Sequence, residues 1–175
     1  LINILIERSR GDRKNLNNEL QKIENFSLNK KNINLQEIIK LTNLADNYSA
    51  SELVDYSLAK NTRKTITILN ENNYSDEDNI VVIRTLLTKI KRLLKIHELI
   101  DERNGIDQAI SSFKPPIFWK DKPLVIQQAR SWKKWELKNL IYKSNEIELL
   151  IKKNSVIGKN ILSDFIINNS KKINN

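Results

Sequence analysis

The 175-residue chain contains no cysteine, one histidine and three glycines. Without cysteine it can form no disulfide, no thiolate metal site and no cysteine nucleophile. The single histidine, His97, excludes a histidine-rich metal site and makes any serine triad depend on that residue. The glycines do not provide a phosphate-binding loop, because Gly158-Lys159 is followed by Asn160 and has no glycine five residues earlier.

Long hydrophobic runs are also absent. No stretch of about 18 apolar residues could span a bilayer, and no signal peptide is recognisable. We therefore expect a soluble, cytoplasmic protein with no membrane partner. The sequence begins at Leu1 rather than at a methionine, and we expect it to be a piece of a longer protein.

The charge balance is basic. There are 30 Lys and Arg against 21 Asp and Glu, which gives a net charge of +9. Such a balance favours an anionic partner such as nucleic acid, whereas the alternative is a lysine-rich solvated surface. Clustering of the basic residues, rather than their excess, decides between the two.

The longest periodic segment is 80–102. Apolar residues and His97 recur in it at spacings of three and four, which predicts a long amphipathic helix with a wide apolar face against a helical core. Ser75 and Asp78 predict its start, and Asn104-Gly105 its end, with Gly105 in the left-handed conformation. We place Leu87 at the centre of the core face and predict that Leu87→Asp unfolds the domain.

Shorter segments of helical spacing precede and follow this helix, and no segment alternates like a strand over more than about four residues. The prediction is an all-α fold of about nine helices. Ser49 and Glu52 form a capping-box pattern, which predicts that a new helix begins at Ser49. We therefore predict a small helical domain over residues 1–48 and a larger helical bundle over residues 49–175.

The sequence gives little support for a catalytic role of any residue. His97 lies on the apolar face, where a core histidine with one satisfied nitrogen is the better interpretation. The carboxylates at 76–78 and at 98–102 lie at a helix start and on a solvated face, so neither set resembles a buried acid–base pair. We expect no enzymatic activity, no cofactor and no metal.

Two basic sets are candidate contacts to DNA or to a protein partner. Arg84, Lys91 and Lys95 lie on the polar face of the long helix, which Lys89 and Arg92 also make basic. The second set lies in the stretch Lys114–Lys143, which has eight basic and two acidic residues and contains Trp119, Trp132 and Trp135. Its candidates are Trp132, Lys133 and Lys134. Basic residues between aromatics are typical of single-stranded nucleic-acid binding, but the alternative is that the tryptophans are core anchors.

Three stretches resemble the delta subunit of the bacterial DNA polymerase III clamp loader. GDRKNLNNELQKIENF (Gly11–Phe26) resembles that family's lid helix. The stretch Leu58–Leu94 resembles the opening of its collar domain, with Ile68-Leu69 closing a short helix and Ile83-Arg84 in a long one. PPIFWKDKPLVIQQARSWKKWELKNLI (Pro115–Ile141) resembles its proline-containing loop and the helices that follow.

The resemblance implies an AAA+-type helical lid over residues 1–48 and a collar, or oligomerisation, domain over residues 49–175. It implies assembly with ATPase-type and delta-prime-type loader subunits, DNA as a partner in that assembly, and no ATP hydrolysis by this subunit. The sliding clamp would be contacted through an N-terminal domain that precedes Leu1. The alternative, from another class, is a free-standing basic α-helical nucleic-acid-binding protein.

Overall fold

The prediction of an all-α fold is confirmed. A computed structural model describes Leu5 and residues 13–28, 34, 37–38, 44–72, 74–103 and 105–171, and these form helices and connections without a strand. The α-helices are α1 (Arg13–Ser27), α2 (Leu44–Leu58), α3 (Thr62–Glu71), α4 (Asp76–Arg103), α5 (Ile106–Ser112), α6 (Lys122–Ser131), α7 (Lys134–Lys153) and α8 (Gly158–Ser170), with a 3₁₀ turn at Ser155–Ile157.

The chain separates into two compact units, Leu1–Tyr48 and Ser49–Asn175. The assignment of residues 1–48 to a lid and of residues 49–175 to a collar stays a prediction. The helix start predicted at Ser49 is wrong, because α2 begins at Leu44 and Ser49 lies inside it. Neither glycine nor proline occurs in α2, so nothing in its backbone interrupts the helix at Ser49.

In the first unit, α1 continues to Ser27, although the sequence predicts a loop from Asn25 onward. Helical spacing predicts that Leu20 faces inward, but it is 45% exposed. The sequence also predicts helix caps at Asn34 and Asp12. The cap at Asn34 is confirmed: Asn34 Oδ1 accepts a hydrogen bond from Glu37 N at 2.8 Å, and Glu37 Oε2 accepts one from Asn34 N at 3.2 Å. Asp12 lies outside the described residues.

The second unit is built around α4. Its buried positions are Val82, Ile83, Leu86, Ile90, Leu93 and Ile96, and each has 0% exposure. Leu87 is only partly buried, so its placement at the centre of the core face is wrong by one position. The polar face holds the predicted residues Arg84, Thr88, Lys91, Lys95, Glu98 and Glu102, all exposed.

The start of α4 is as predicted. Asp78 Oδ2 accepts hydrogen bonds from the backbone N and Oγ of Ser75, both at 2.7 Å, and Asp78 N donates to Ser75 Oγ. The prediction for Gly105 is wrong. Its φ of 178° is extended backbone, and it is the N-cap of α5 rather than a left-handed end of α4.

The segment between α5 and α6 is non-helical, and Pro123 occupies the first turn of α6, both as predicted. For α3 the sequence offers Asn61 or Thr62 as the N-cap, and the structure shows Asn61. Helical spacing predicts that Ile66, Ile68 and Leu69 face inward. Ile68 and Leu69 are buried, whereas Ile66 is 39% exposed.

The carboxyl end of α2 is capped by side chains from α6 and the residue after it. Carbonyls at a helix end have no partner within the helix, so side-chain donors there satisfy them. Three such bonds are present: Gln128 Nε2 to Asp55 O (2.9 Å), Gln127 Nε2 to Ala59 O (2.9 Å) and Trp132 Nε1 to Leu58 O (2.7 Å).

A buried ion pair joins α4 to α2. Lys89 Nζ lies 2.6 Å from Asp55 Oδ2, and both side chains are less than a tenth exposed. Lys89 Nζ also donates to the carbonyl oxygen and Oγ of Ser51. The prediction that Lys89 makes the surface of α4 basic is wrong, because this charge is compensated by Asp55 inside the core.

Candidate functional site

The three candidate contacts on α4 remain on its surface. Arg84, Lys91 and Lys95 are exposed. Arg84 Nε lies 3.3 Å from Glu148 Oε1 on α7, and Lys95 Nζ lies 5.9 Å from the ring centroid of Phe113. Arg84 is therefore engaged in a contact between helices, whereas Lys91 and Lys95 present their charge to solvent.

Lys133 and Lys134, the candidate contact residues at the start of α7, have different hydrogen-bond partners. Lys134 Nζ lies 2.7 Å from Asp101 Oδ2, at the opposite end of α4 from Arg84. The hydrogen bond from Lys134 lowers the pKa of Asp101, and the same bond raises the pKa of Lys134. Lys133 is exposed, and its backbone N donates to Glu136 Oε2 at 2.7 Å, which caps α7.

Arg84 and Lys134 thus tie the two ends of α4 to α7. On the α7 side, the hydrogen bond from Lys152 lowers the pKa of Glu148, and Arg84 contributes in the same direction. Arg84 and Lys134 consequently belong to two separate pairs along the α4–α7 contact rather than to one basic cluster.

The three tryptophans have different environments. Trp132 is 7% exposed and donates from Nε1 to Leu58 O, so it is the core anchor of the alternative interpretation and its ring is not offered to a base. Trp119 and Trp135 are 68% and 59% exposed. The core interpretation therefore holds for one tryptophan of three.

Candidate catalytic chemistry finds little support in the described part of the chain. His97 is partly buried, and its Nε2 is shielded from solvent without a hydrogen-bond partner among the described residues. No group of three or more metal-binding side chains occurs within those residues. Among the described helices, none has the length and apolar character needed to cross a bilayer.

A groove of about 260 Å³ lies beside Trp135. The α7 residues Trp135, Asn139 and Lys143 form one side of it, above the buried Leu140. The opposite side contains Lys60, which follows α2, together with residues at the end of α8: Asn168, Asn169 and Lys171. Trp132 and Glu136 complete the lining.

Lys60 has an unusual backbone conformation. Its φ is 57°, in the left-handed region that favours glycine. Lys60 N donates to Ser57 O and Asn61 N donates to Tyr56 O, the two bonds of a Schellman motif that ends α2. The lysine therefore stands where glycine is the usual residue.

The side chain of Lys60 extends to the end of α8. Nζ donates to Asn169 O at 2.9 Å and lies 3.4 Å from the ring centroid of Trp132. Burial lowers the pKa of Lys60 from 10.5 to about 8, although Glu136 acts in the opposite direction. A cation near a helix C-terminus is favourable, but the lowered pKa means that desolvation outweighs this attraction, so Lys60 keeps a partly desolvated charge in the groove.

A second surface, the α7 stripe, consists of Tyr142, Leu149 and Val156. These residues recur every seven positions and are 72%, 58% and 97% exposed. Tyr142 and Leu149 lie on α7, and Val156 lies in the 3₁₀ turn that follows. Trp135 precedes them by a further seven residues. Seven residues are close to two helical turns, so the members of α7 lie along one line.

No protein-family model matches this chain, and neither the curated proteins nor the solved structures give a significant match.

Sequence reasoning missed both surfaces. The seven-residue spacing of the α7 stripe is visible in the sequence, but an apolar row on a helix predicts burial unless the opposite face is already committed to the core. For Lys60 no local signal exists. Its role depends on Trp132 and Asn169, which are 72 and 109 positions away along the chain.

Proposed function

We propose that the chain is a non-catalytic assembly module, the lid and collar regions of a clamp-loader delta subunit of bacterial DNA polymerase III. In this proposal it joins ATPase-type and delta-prime-type subunits, and the assembly loads the sliding clamp on DNA. The helical architecture and the division of the chain after Tyr48 support it. The resemblance of the three sequence stretches supplies the class of partner.

The observation that carries the proposal is the α7 stripe. Isolated apolar side chains on a protein surface need no explanation. The α7 stripe is instead a regular row of large apolar side chains, and exposed polar residues such as Asn145 and Lys153 lie between its members. A row at seven-residue spacing suits a neighbouring helix, which can pack along its length. The stripe lies on the side of α7 away from the buried residues Leu137, Leu140, Ser144 and Ile151.

The size of the patch sets what a partner must cover. Full burial of one large aliphatic side chain contributes about 1.5–3 kcal/mol. A stable protein interface buries roughly 1,200–2,000 Å² in total, so three side chains form only its centre. Leu150 and Ile157, which are 46% and 50% exposed, widen the patch. The partner helix would therefore cover the second half of α7 and the 3₁₀ turn.

Two of the charged residues next to this patch, Glu148 and Lys152, are paired with each other. Glu148 Oε1 lies 2.7 Å from Lys152 Nζ and 3.3 Å from Arg84 Nε. An apolar centre with a polar rim is the usual composition of a protein interface. Because the stripe itself is uncharged, association through it should depend only modestly on salt.

The test is direct assembly. The chain is mixed with the cognate ATPase-type and delta-prime-type subunits, and complexes are resolved by size exclusion with light scattering at low and moderate salt. A complex of defined mass at both salt concentrations is expected. Separate elution of all components at low salt would contradict the proposal.

The competing function is that of a free-standing nucleic-acid-binding protein that uses Lys114–Lys143. It requires aromatic rings available to bases, and Trp119 and Trp135 are exposed. Trp132 and Lys134, the residues expected to contribute most, are respectively buried and paired with Asp101. Tight, steeply salt-dependent binding of single-stranded DNA without subunit assembly would favour this alternative.

A further inference from the structure

The groove between α7 and the end of α8 has features of a peptide-binding site. Its lysines, Lys60, Lys143 and Lys171, outnumber its one carboxylate, Glu136. Its apolar surface comes from Trp135, which is 59% exposed, and from Leu140 beneath it. Cations beside an aromatic surface suit a ligand that carries both negative charge and an apolar group.

The asparagines of the groove supply hydrogen-bonding groups. Asn139, Asn168 and Asn169 line it, and each amide can both donate and accept. Asn169 Nδ2 is shielded from solvent and has no hydrogen-bond partner among the described residues. A buried donor without a partner carries a desolvation penalty, which a ligand carbonyl or carboxylate oxygen would relieve.

Lys60 is held in place before any ligand arrives. Its hydrogen bond to Asn169 O and its position over the Trp132 ring fix the ammonium group. An ammonium has three donor hydrogens, and these contacts leave donor capacity for an anion. A left-handed conformation at a residue other than glycine carries strain, and such strain concentrates at functional sites.

We propose that this groove binds an acidic peptide segment of a partner protein, with its carboxylates on Lys60, Lys143 and Lys171 and an apolar side chain against Trp135. A single nucleic-acid strand fits less well, because successive bases stack on successive aromatic rings and Trp135 is the exposed ring that lines this groove. The proposal does not rest on assembly through the α7 stripe, which consists of other side chains.

The number of protons taken up when the peptide binds distinguishes binding in the groove from binding elsewhere on the surface. A carboxylate beside Lys60 favours its charged form and raises its pKa again. Binding between pH 8 and 10 should therefore take up a proton, since Lys60 is partly deprotonated in the free groove. At pH 8.5, attraction by ordinary surface lysines takes up almost no protons, because their pKa of about 10.4 keeps them almost fully protonated there.

The experiment measures anisotropy of a labelled peptide of alternating Asp and Glu with one central Phe, at low salt. Trp135→Ala should weaken binding on the order of tenfold, as loss of an interface tryptophan does. Lys143→Gln should weaken it about three- to fivefold. Matched controls are Trp119→Ala, an exposed tryptophan outside the groove, and Lys138→Gln, an exposed lysine of α7 outside it. Both should leave affinity unchanged.

Three results would overturn the proposal. The first is absence of binding, and the second is equal loss for Lys138→Gln and Lys143→Gln, which means general charge attraction. The third is tighter binding of an oligothymidylate than of the peptide, with the same dependence on Trp135, which assigns the groove to nucleic acid.

Calorimetry at pH 8.5 in buffers of different ionisation enthalpy measures the number of protons taken up on binding. Proton uptake that persists in Lys60→Met would also contradict the proposed role of Lys60.

Discussion

The pair of Lys89 and Asp55 places two opposite charges inside the core of the second unit. Their side chains are 8% and 5% exposed, and Nζ lies 2.6 Å from Oδ2. Gln128 Nε2 also donates to Asp55, at 3.1 Å from Oδ1. The network connects α2, α4 and α6, so its integrity matters to three helices at once.

We predict that Lys89→Met destabilises the fold by about 3–5 kcal/mol, because it leaves the Asp55 carboxylate buried without its cation. The double variant Lys89→Met/Asp55→Asn should recover part of that loss. Lys91→Met, at an exposed position of the same helix, should stay within about 0.5 kcal/mol of the unsubstituted chain. Urea denaturation followed by circular dichroism measures all three. Equal stabilities of Lys89→Met and Lys91→Met would contradict the account.

Lys60 should make stability depend on pH at the alkaline end. Its pKa is about 8 in the folded chain and 10.5 without burial, so between these values the unfolded chain binds more protons. Stability then rises with pH across this window, as the penalty of the buried charge is relieved. The free energy of unfolding should increase from pH 8 to pH 10 relative to Lys60→Met at the same pH. If the free energies of unfolding of the unsubstituted chain and of Lys60→Met changed with pH in parallel, the proposed effect of Lys60 on stability would be refuted.

At the residue scale, sequence signals sufficed where the cause is local. The caps at Asn34, Asn61 and Ser75 depend on partners three residues away, and all were predicted. The environments of Lys89 and Trp132 depend on partners 34 and 74 positions away along the chain, so local sequence patterns could not predict these contacts. The candidate contacts failed to form one cluster for the same reason.

Helix α4 is the element that organises the second unit. Its six fully buried apolar positions follow spacings of one, three and four, which is the wide stripe of a helix with neighbours on several sides. The sequence pattern predicted the helix, both its ends and its polar face. It placed the centre of the stripe at Leu87 instead of Leu86, because apolar residues occupy both positions and composition does not distinguish full from partial burial.

Two substitutions test this assignment. Leu86→Asp should abolish the cooperative unfolding transition, because it buries a carboxylate at a position with 0% exposure. Leu87→Asp, at a partly buried position, should lower the melting temperature and leave a folded protein. Thermal circular dichroism of both variants decides the matter. A more severe effect at Leu87 than at Leu86 would contradict the burial pattern.

The two opposite faces of α7 have different environments. Leu137, Leu140 and Ile151 pack into the core. The opposite row, the α7 stripe, is exposed although it is apolar, and solvent exposure of such a row is unfavourable unless a partner covers it. The same helix thus contributes to folding on one face and, in our proposal, to assembly on the other.

Considered as a whole, the chain has a net charge of +9 without one concentrated basic face among the candidate residues. Arg84 and Lys134 form ion pairs with α7 and α4 carboxylates respectively, and Lys89 is compensated inside the core. Much of the charge thus contributes to the structure of the second unit. The net charge predicts an anionic partner in general. The groove proposed to bind an acidic peptide can be located only from the arrangement of the side chains.

The central claim is that the module assembles through the α7 stripe, and the most direct measurement is the affinity of stripe variants for the loader subunits. Leu149→Glu/Val156→Glu changes two side chains that are 58% and 97% exposed, so folding should be preserved and circular dichroism should be unchanged. Thr88→Glu/Gln108→Glu is the control, because it adds the same two negative charges at exposed polar positions of α4 and α5, outside α7.

We predict that the stripe variant weakens assembly by at least tenfold in analytical ultracentrifugation, because charges placed in an apolar interface are desolvated without partners. The control should assemble within about threefold of the unsubstituted chain, as expected for exposed charges away from the interface. Assembly of the folded stripe variant with unchanged affinity would contradict the claim.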